Sequence, residues 1–171
     1  MKYCFIVLAL TLALAPLAIA ETQNLIPDPA FKAANFDPLA EESSWWYYQI
    51  VLPSSAEKQG DAVTLEGGKT FLHSSPFAVE AGKTYAVQLS ASGTGKLSIE
   101  ILWWAEYGEE TGAKMASPHR VVLVEPKAVM GDMKAFKGEA AAPEGATAAY
   151  IRIVAEDGTV TVTSPKAYAT K

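Results

Sequence analysis

A period of two is the strongest constraint on this chain. Tyr85-Ala-Val-Gln-Leu-Ser-Ala sets Tyr85, Val87, Leu89 and Ala91 on one side and Gln88, Ser90 and Ser92 on the other. Leu97-Ser-Ile-Glu-Ile-Leu-Trp-Trp repeats the pattern, with Leu97, Ile99, Ile101 and Trp103 opposed to Ser98, Glu100, Leu102 and Trp104. Side chains alternate across a strand, so a half-buried strand produces this pattern and a helix does not. Tyr150-Ile-Arg-Ile-Val alternates around Arg152, and Thr159-Val-Thr-Val-Thr sends Val160 and Val162 inward. Val63-Thr-Leu, Phe71-Leu-His and Val121-Val-Leu-Val are shorter strand candidates.

Glycine punctuates these runs. Gly67-Gly68, Ala81-Gly82, Gly93-Thr-Gly95, Gly108, Glu144-Gly145 and Asp157-Gly158 supply residues that tolerate positive φ, and each is expected to be a turn. Gly93-Thr-Gly95, between two alternating runs, predicts a hairpin. The stretches 107–118 and 125–138 are expected to be long loops, and residues 30–42 offer at most a turn or two of helix. Many short strands separated by turn signals predict an all-β sandwich or barrel.

The first 20 residues read differently. Lys2 precedes an apolar run from Phe5 to Ala15, Pro16 ends the run, and Ala18-Ile19-Ala20 has the small-x-small form that a signal peptidase reads. The run is shorter than the ~20 apolar residues of a spanning helix. Residues 1–20 are therefore expected to be a cleaved signal peptide, with secretion or periplasmic export, and residues 21–171 a single domain. Cys4, the one cysteine, lies inside this leader, so the mature domain has neither disulfide nor thiolate chemistry. Lys2 leaves with the leader, and 13 basic residues then face 19 acidic ones, a net charge of −6. That balance argues against a nucleic-acid partner, which calls for a basic face.

Four segments, in order, resemble one family. They are Asn24-Leu-Ile-Pro-Asp-Pro-Ala-Phe31, Ser75-Pro-Phe through Gly82-Lys-Thr-Tyr85, Ala142-Pro-Glu-Gly-Ala146 leading to Ile151-Arg-Ile153, and the closing run Val160 to Tyr168. Their conjunction is similar to carbohydrate-binding modules of the galactose-binding-like jelly-roll type, families four, nine and twenty-two. The resemblance implies two antiparallel sheets and a glycan bound on a sheet face or in the loops at one end. Many members also hold a structural calcium, with Glu after the opening Phe and an Asp pair near the final strand. Here Lys32 follows Phe31 and the closing segment reads Thr163-Ser-Pro165, so those carboxylates are missing and no cofactor is expected.

No catalytic constellation accompanies these segments. His73 and His119 stand in no metal spacing, and there is no G-x-S-x-G or phosphate-binding glycine loop. Glu100, Glu106, Glu109 and Glu110 raise the two-carboxylate chemistry of a small glycoside hydrolase, but solvated strand and loop carboxylates are their ordinary explanation. The aromatics point more sharply. All four tryptophans fall in Trp45-Trp46-Tyr47-Tyr48 and in Trp103-Trp104, with Tyr107 close behind. Parity assigns Trp46, Tyr48 and Trp103 to the core and turns Trp45, Tyr47 and Trp104 outward. A pyranose lays its C–H face on an aromatic ring while its hydroxyls seek polar partners. The expected ligand-binding set is therefore Trp45, Tyr47, Gln88, Glu100, Trp104, Glu106 and Tyr107. The expected function is non-catalytic binding of a polysaccharide or oligosaccharide. A secreted structural or protein-interaction sandwich, whose partner is another secreted protein, is the alternative.

Overall fold

The computed structural model describes residues 23–32, 34, 46–104 and 119–170, and within 46–54 it describes the backbone. Among these residues there are eight strands and no helix: β1 (Trp46–Gln59), β2 (Ala62–Ser74), β3 (Phe77–Ala78), β4 (Thr84–Gly93), β5 (Lys96–Trp104), β6 (His119–Ala128), β7 (Gly131–Ala141) and β8 (Ala148–Ala169). All pairings are antiparallel. The residues expected to form the signal peptide lie outside the described residues.

β8 organises the sandwich. Its first part pairs with β5 on one side and β2 on the other, giving a layer ordered β1-β2-β8-β5-β6. Its last part pairs with β4, and β4 with β7, giving a second layer. The inward residues meet between the layers. Leu97, Ile99, Ile101 and Trp103 of β5, with Ile151 and Ile153 of β8, face Tyr85, Val87, Leu89 and Ala91 of β4, and all are buried. Trp103 is fully buried and meets the Tyr85 ring edge-on at 5.8 Å, a contact between strands that do not pair. Each large aliphatic side chain removed from water in this core contributes roughly 1.5–3 kcal/mol.

Two expected turns are absent, for one reason. Gly67-Gly68 lies inside β2, and Asp157-Gly158 inside the 22-residue β8. Gly67 pairs with Gly158 across the ladder, and both have positive φ, 121° and 147°. Two facing glycines let both strands bend from one layer into the other without breaking their pairing. The hairpin expected at Gly93-Thr-Gly95 is not formed: β4 and β5 do not pair with each other, and the segment instead carries the chain from one layer to the other, pinned beneath this bend. Thr94 and Gly95 both donate to the Thr159 carbonyl, and a Cβ on Gly93 would lie 2.1 Å from that oxygen.

The expected loop over 125–138 is instead the end of β6, a short turn and most of β7. β7 pairs on one side with β4, and Phe136 is its one buried residue. A strand so exposed carries little apolar alternation, which is why its sequence reads as a loop.

The opening segment is sewn to the closing strand by Asn24. Its Oδ1 accepts from the Ile26 and Ala167 backbone N–H groups at 3.1 and 3.0 Å, and its Nδ2 donates to the Pro165 carbonyl at 3.1 Å. Asp28 Oδ1 accepts from the Lys32 backbone N–H at 2.9 Å. These residues do not fit a calcium ion: the Asn24 oxygen already holds two N–H groups, and the flanking positions offer Lys32, Ser164 and Pro165.

Candidate functional site

β5 has neighbours on both sides, so its outward residues sit mid-sheet. Glu100 was expected to be a solvated strand carboxylate; it is only 2% exposed. Its cross-strand neighbours explain this. Arg152 on β8 lies directly opposite on one side and Val122 on β6 on the other, with Arg120 two residues along β6, opposite Leu102. Glu100 Oε1 accepts from the Arg120 guanidinium at 2.5 Å, and Oε2 accepts from Arg152 Nε at 2.5 Å. A buried carboxylate is tolerated when its oxygens are filled this way; removing it would leave the mostly covered Arg152 without its partner, while Arg120, with its side chain 55% exposed, could turn to water.

Aromatic rings extend the same face. The Arg152 guanidinium lies over the Phe71 ring, 5.2 Å from its centroid, and the Lys69 ammonium stands 5.4 Å from the same centroid. Phe71, His73 and Tyr150 follow one another at centroid separations of 6.4 and 5.8 Å. Burial, aided by the Arg152 charge, holds His73 down to about 4, so the imidazole is neutral at pH 7. Burial raises the Tyr150 hydroxyl above its usual value, with Arg152 opposing and Glu100 adding to the effect. Beyond Phe71, Lys69 pairs with Glu156 at 2.5 Å. A groove of about 260 Å³ runs over this region, lined by Phe71, Glu100, Arg120, Val122 and Arg152 among others.

The structure brings together some of the expected site residues and separates others. Trp104 is on the outward parity of Glu100, four residues along β5 and beyond the groove, and is 38% exposed. Tyr47 is in register with His73 on the adjoining strand β1. Gln88 belongs elsewhere: it lies on β4 in the other layer and accepts from the Tyr168 hydroxyl at 3.4 Å. Its alternation was legible, but which of two outward faces it joins depends on long-range pairing. Trp45, Glu106 and Tyr107 lie outside the described residues. Sequence reasoning missed Phe71, Arg120, Tyr150 and Arg152. Arg152 alone carried a signal, as the one charge within an otherwise apolar alternating run.

No protein-family model matches this sequence, and no curated protein matches it. Solved structures do. The enzymatically active domain of bacteriophage CBA120 tailspike protein 4 superposes with a TM-score of 0.61 at 12% identity, over 86% of this chain. This chain spans only about a fifth, 21%, of that tailspike. A putative sugar-binding protein from Bacteroides thetaiotaomicron gives 0.56 at 11% identity, over 86% of this chain and 100% of that one. A family 61 carbohydrate-binding module in complex with β-1,4-galactotriose gives 0.52 at 16% identity, over 87% and 100%. The fold is the jelly-roll sandwich of the carbohydrate-binding modules. At these identities the likeness is one of fold, and the chemistry rests on the face described above.

Proposed function

We propose that this protein is an exported, non-catalytic module that binds a polysaccharide or oligosaccharide on the outer face of the β1-β2-β8-β5-β6 layer. One observation carries the reading: the Arg120–Glu100–Arg152 cluster fixes guanidinium donors beside the Phe71 ring on an open sheet face. Donors held in place lose little freedom when a sugar hydroxyl arrives, and rings on the same face offer a surface for pyranose C–H groups. Trp104 extends this surface past the end of the groove.

The face is poorly suited to glycoside hydrolysis. Glu100 is buried with both oxygens accepting from guanidinium groups, and Glu156, also on the groove, is paired with Lys69, which disfavours either as a proton donor or nucleophile. Export follows from the charged start, apolar run and Ala18-Ile19-Ala20 ending, and the protein recovered outside the cytoplasm should begin at Glu21 by N-terminal sequencing.

Binding of the mature protein to galactan, xylan and mixed-linkage glucan, read by affinity electrophoresis, tests the site. Phe71→Ala and Trp104→Ala should each weaken binding about tenfold, as expected for a stacking ring, while thermal melts show the domain folded. Binding that neither substitution affects would remove the site from this face. An absence of binding across the panel would favour a protein-interaction module.

A further inference from the structure

The opposite layer carries a different arrangement. Lys137 on β7, Gln88 on β4 and Lys166 on β8 stand opposite one another in a single row across three strands. Tyr168 occupies the neighbouring row, opposite Ala86. Outer strands of such a trio lie roughly 10 Å apart, a span two lysine side chains easily close. Both do so: the Lys137 and Lys166 ammoniums stand 5.7 and 5.6 Å from the centroid of the same Tyr168 ring. Tyr168 donates its hydroxyl hydrogen to Gln88 Oε1, which leaves the Gln88 amide N–H groups as donors.

Neither ammonium has a carboxylate within ion-pair distance among the described residues. Lys69, Lys83 and Lys96, by contrast, each have one. Two like charges drawn to one ring repel each other, and a bound anion between them would relieve that repulsion. Glu139 of β7 shares the row of Tyr168 and Ala86, beyond ion-pair distance of either ammonium, and further along the face come hydroxyls: Ser90 stands opposite Thr163, and Ser92 opposite Thr161. A ligand matched to this surface combines many hydroxyls with an occasional negative group. The acidic chain as a whole disfavours a densely charged polyanion such as nucleic acid.

We infer that this face is a second binding site, for an acidic polysaccharide whose carboxylate or sulfate group seats between Lys137 and Lys166 beside Tyr168. The site is separate from the groove and does not depend on the groove binding sugar. Affinity electrophoresis of the full mature protein tests it, in gels carrying gellan, κ-carrageenan or neutral galactan, the first two being hydroxyl-rich chains with sparse carboxylates and sparse sulfates respectively. Retardation in gellan assigns a carboxylate, and retardation in κ-carrageenan a sulfate. The Lys137→Gln/Lys166→Gln double variant should lose about tenfold in affinity for the acidic polymer and keep its behaviour in galactan. The Lys137→Arg/Lys166→Arg variant should retain the acidic binding. Raising salt from about 0.02 to 0.3 M should weaken the wild-type interaction, since the groups are exposed to screening. Equal affinity of wild type and the glutamine variant, or no retardation of wild type in either acidic gel, overturns the inference. Both lysines are surface groups on formed strands, and unchanged thermal melts would separate lost binding from lost folding.

Discussion

The two outward faces of this sandwich are built from shared strands, β2 and β8 among them, yet they handle charge in opposite ways. Over the β5 layer, Glu100 is buried and binds two arginines, and the Phe71 ring lies against the Arg152 guanidinium. Over the β4 layer, charge stands in the open, with two lysines drawn to a tyrosine and hydroxyls around them. The difference follows from strand position. β5 has a neighbour on each side for most of its length, so polar residues on it must find partners within the sheet. β7 pairs on one side with β4 and leaves its side chains to water. A polar residue in the first face is a structural commitment; in the second it is available.

Substitutions that sharpen this contrast should rank accordingly. The largest effect is expected at Glu100. Glu100→Ala leaves Arg152 unpaired within the sheet, while the more exposed Arg120 turns to water, and should cost about 3 kcal/mol in urea unfolding, the low end for a broken buried pair. A loss below about 1 kcal/mol would mean that the cluster is no more committed than the opposite face. Next comes His73, whose imidazole is depressed to about 4 in the folded protein against 6.5 unfolded. Between these values the unfolded chain binds the extra proton. The stabilisation is complete above about pH 6.5 and is lost as pH falls toward 4, on the order of 2–3 kcal/mol in all. His73→Phe should flatten the stability profile in that window, and an unchanged profile would place the titration elsewhere. The smallest effects belong to the hydroxyl rows. Ser90→Ala and Ser92→Ala should each shift unfolding by less than about 0.5 kcal/mol, and a larger cost would show that the open face is also structural.

Much of the sandwich was legible in the residue order, and the reasons are local. β4 and β5 announce themselves by alternation, and the assignment of Trp103 inward and Trp104 outward agrees with their exposures of 0% and 38%. β7 was not legible, because an exposed strand needs no apolar period. Gly67 and Gly158 were read as turns because glycine marks both a reversal and a bend within a ladder, and only their pairing tells the two apart. The site was less legible than the fold. Glu100 is separated from Arg120 by 20 residues and from Arg152 by 52, so nothing near Glu100 in the chain says that it will be buried. Gln88 fell in the wrong layer for the same reason: parity states that a residue looks outward and does not state over which sheet.

The facing pair Gly67 and Gly158 has a further consequence. Because both strands cross there from one sheet to the other, the faces are two sides of a single folded ribbon and look in opposite directions. A stiff polymer lying along one side cannot wrap round to reach the other. If each side holds its own chain, the molecule would act as a rivet between two polymers, at a separation set by the thickness of the sandwich.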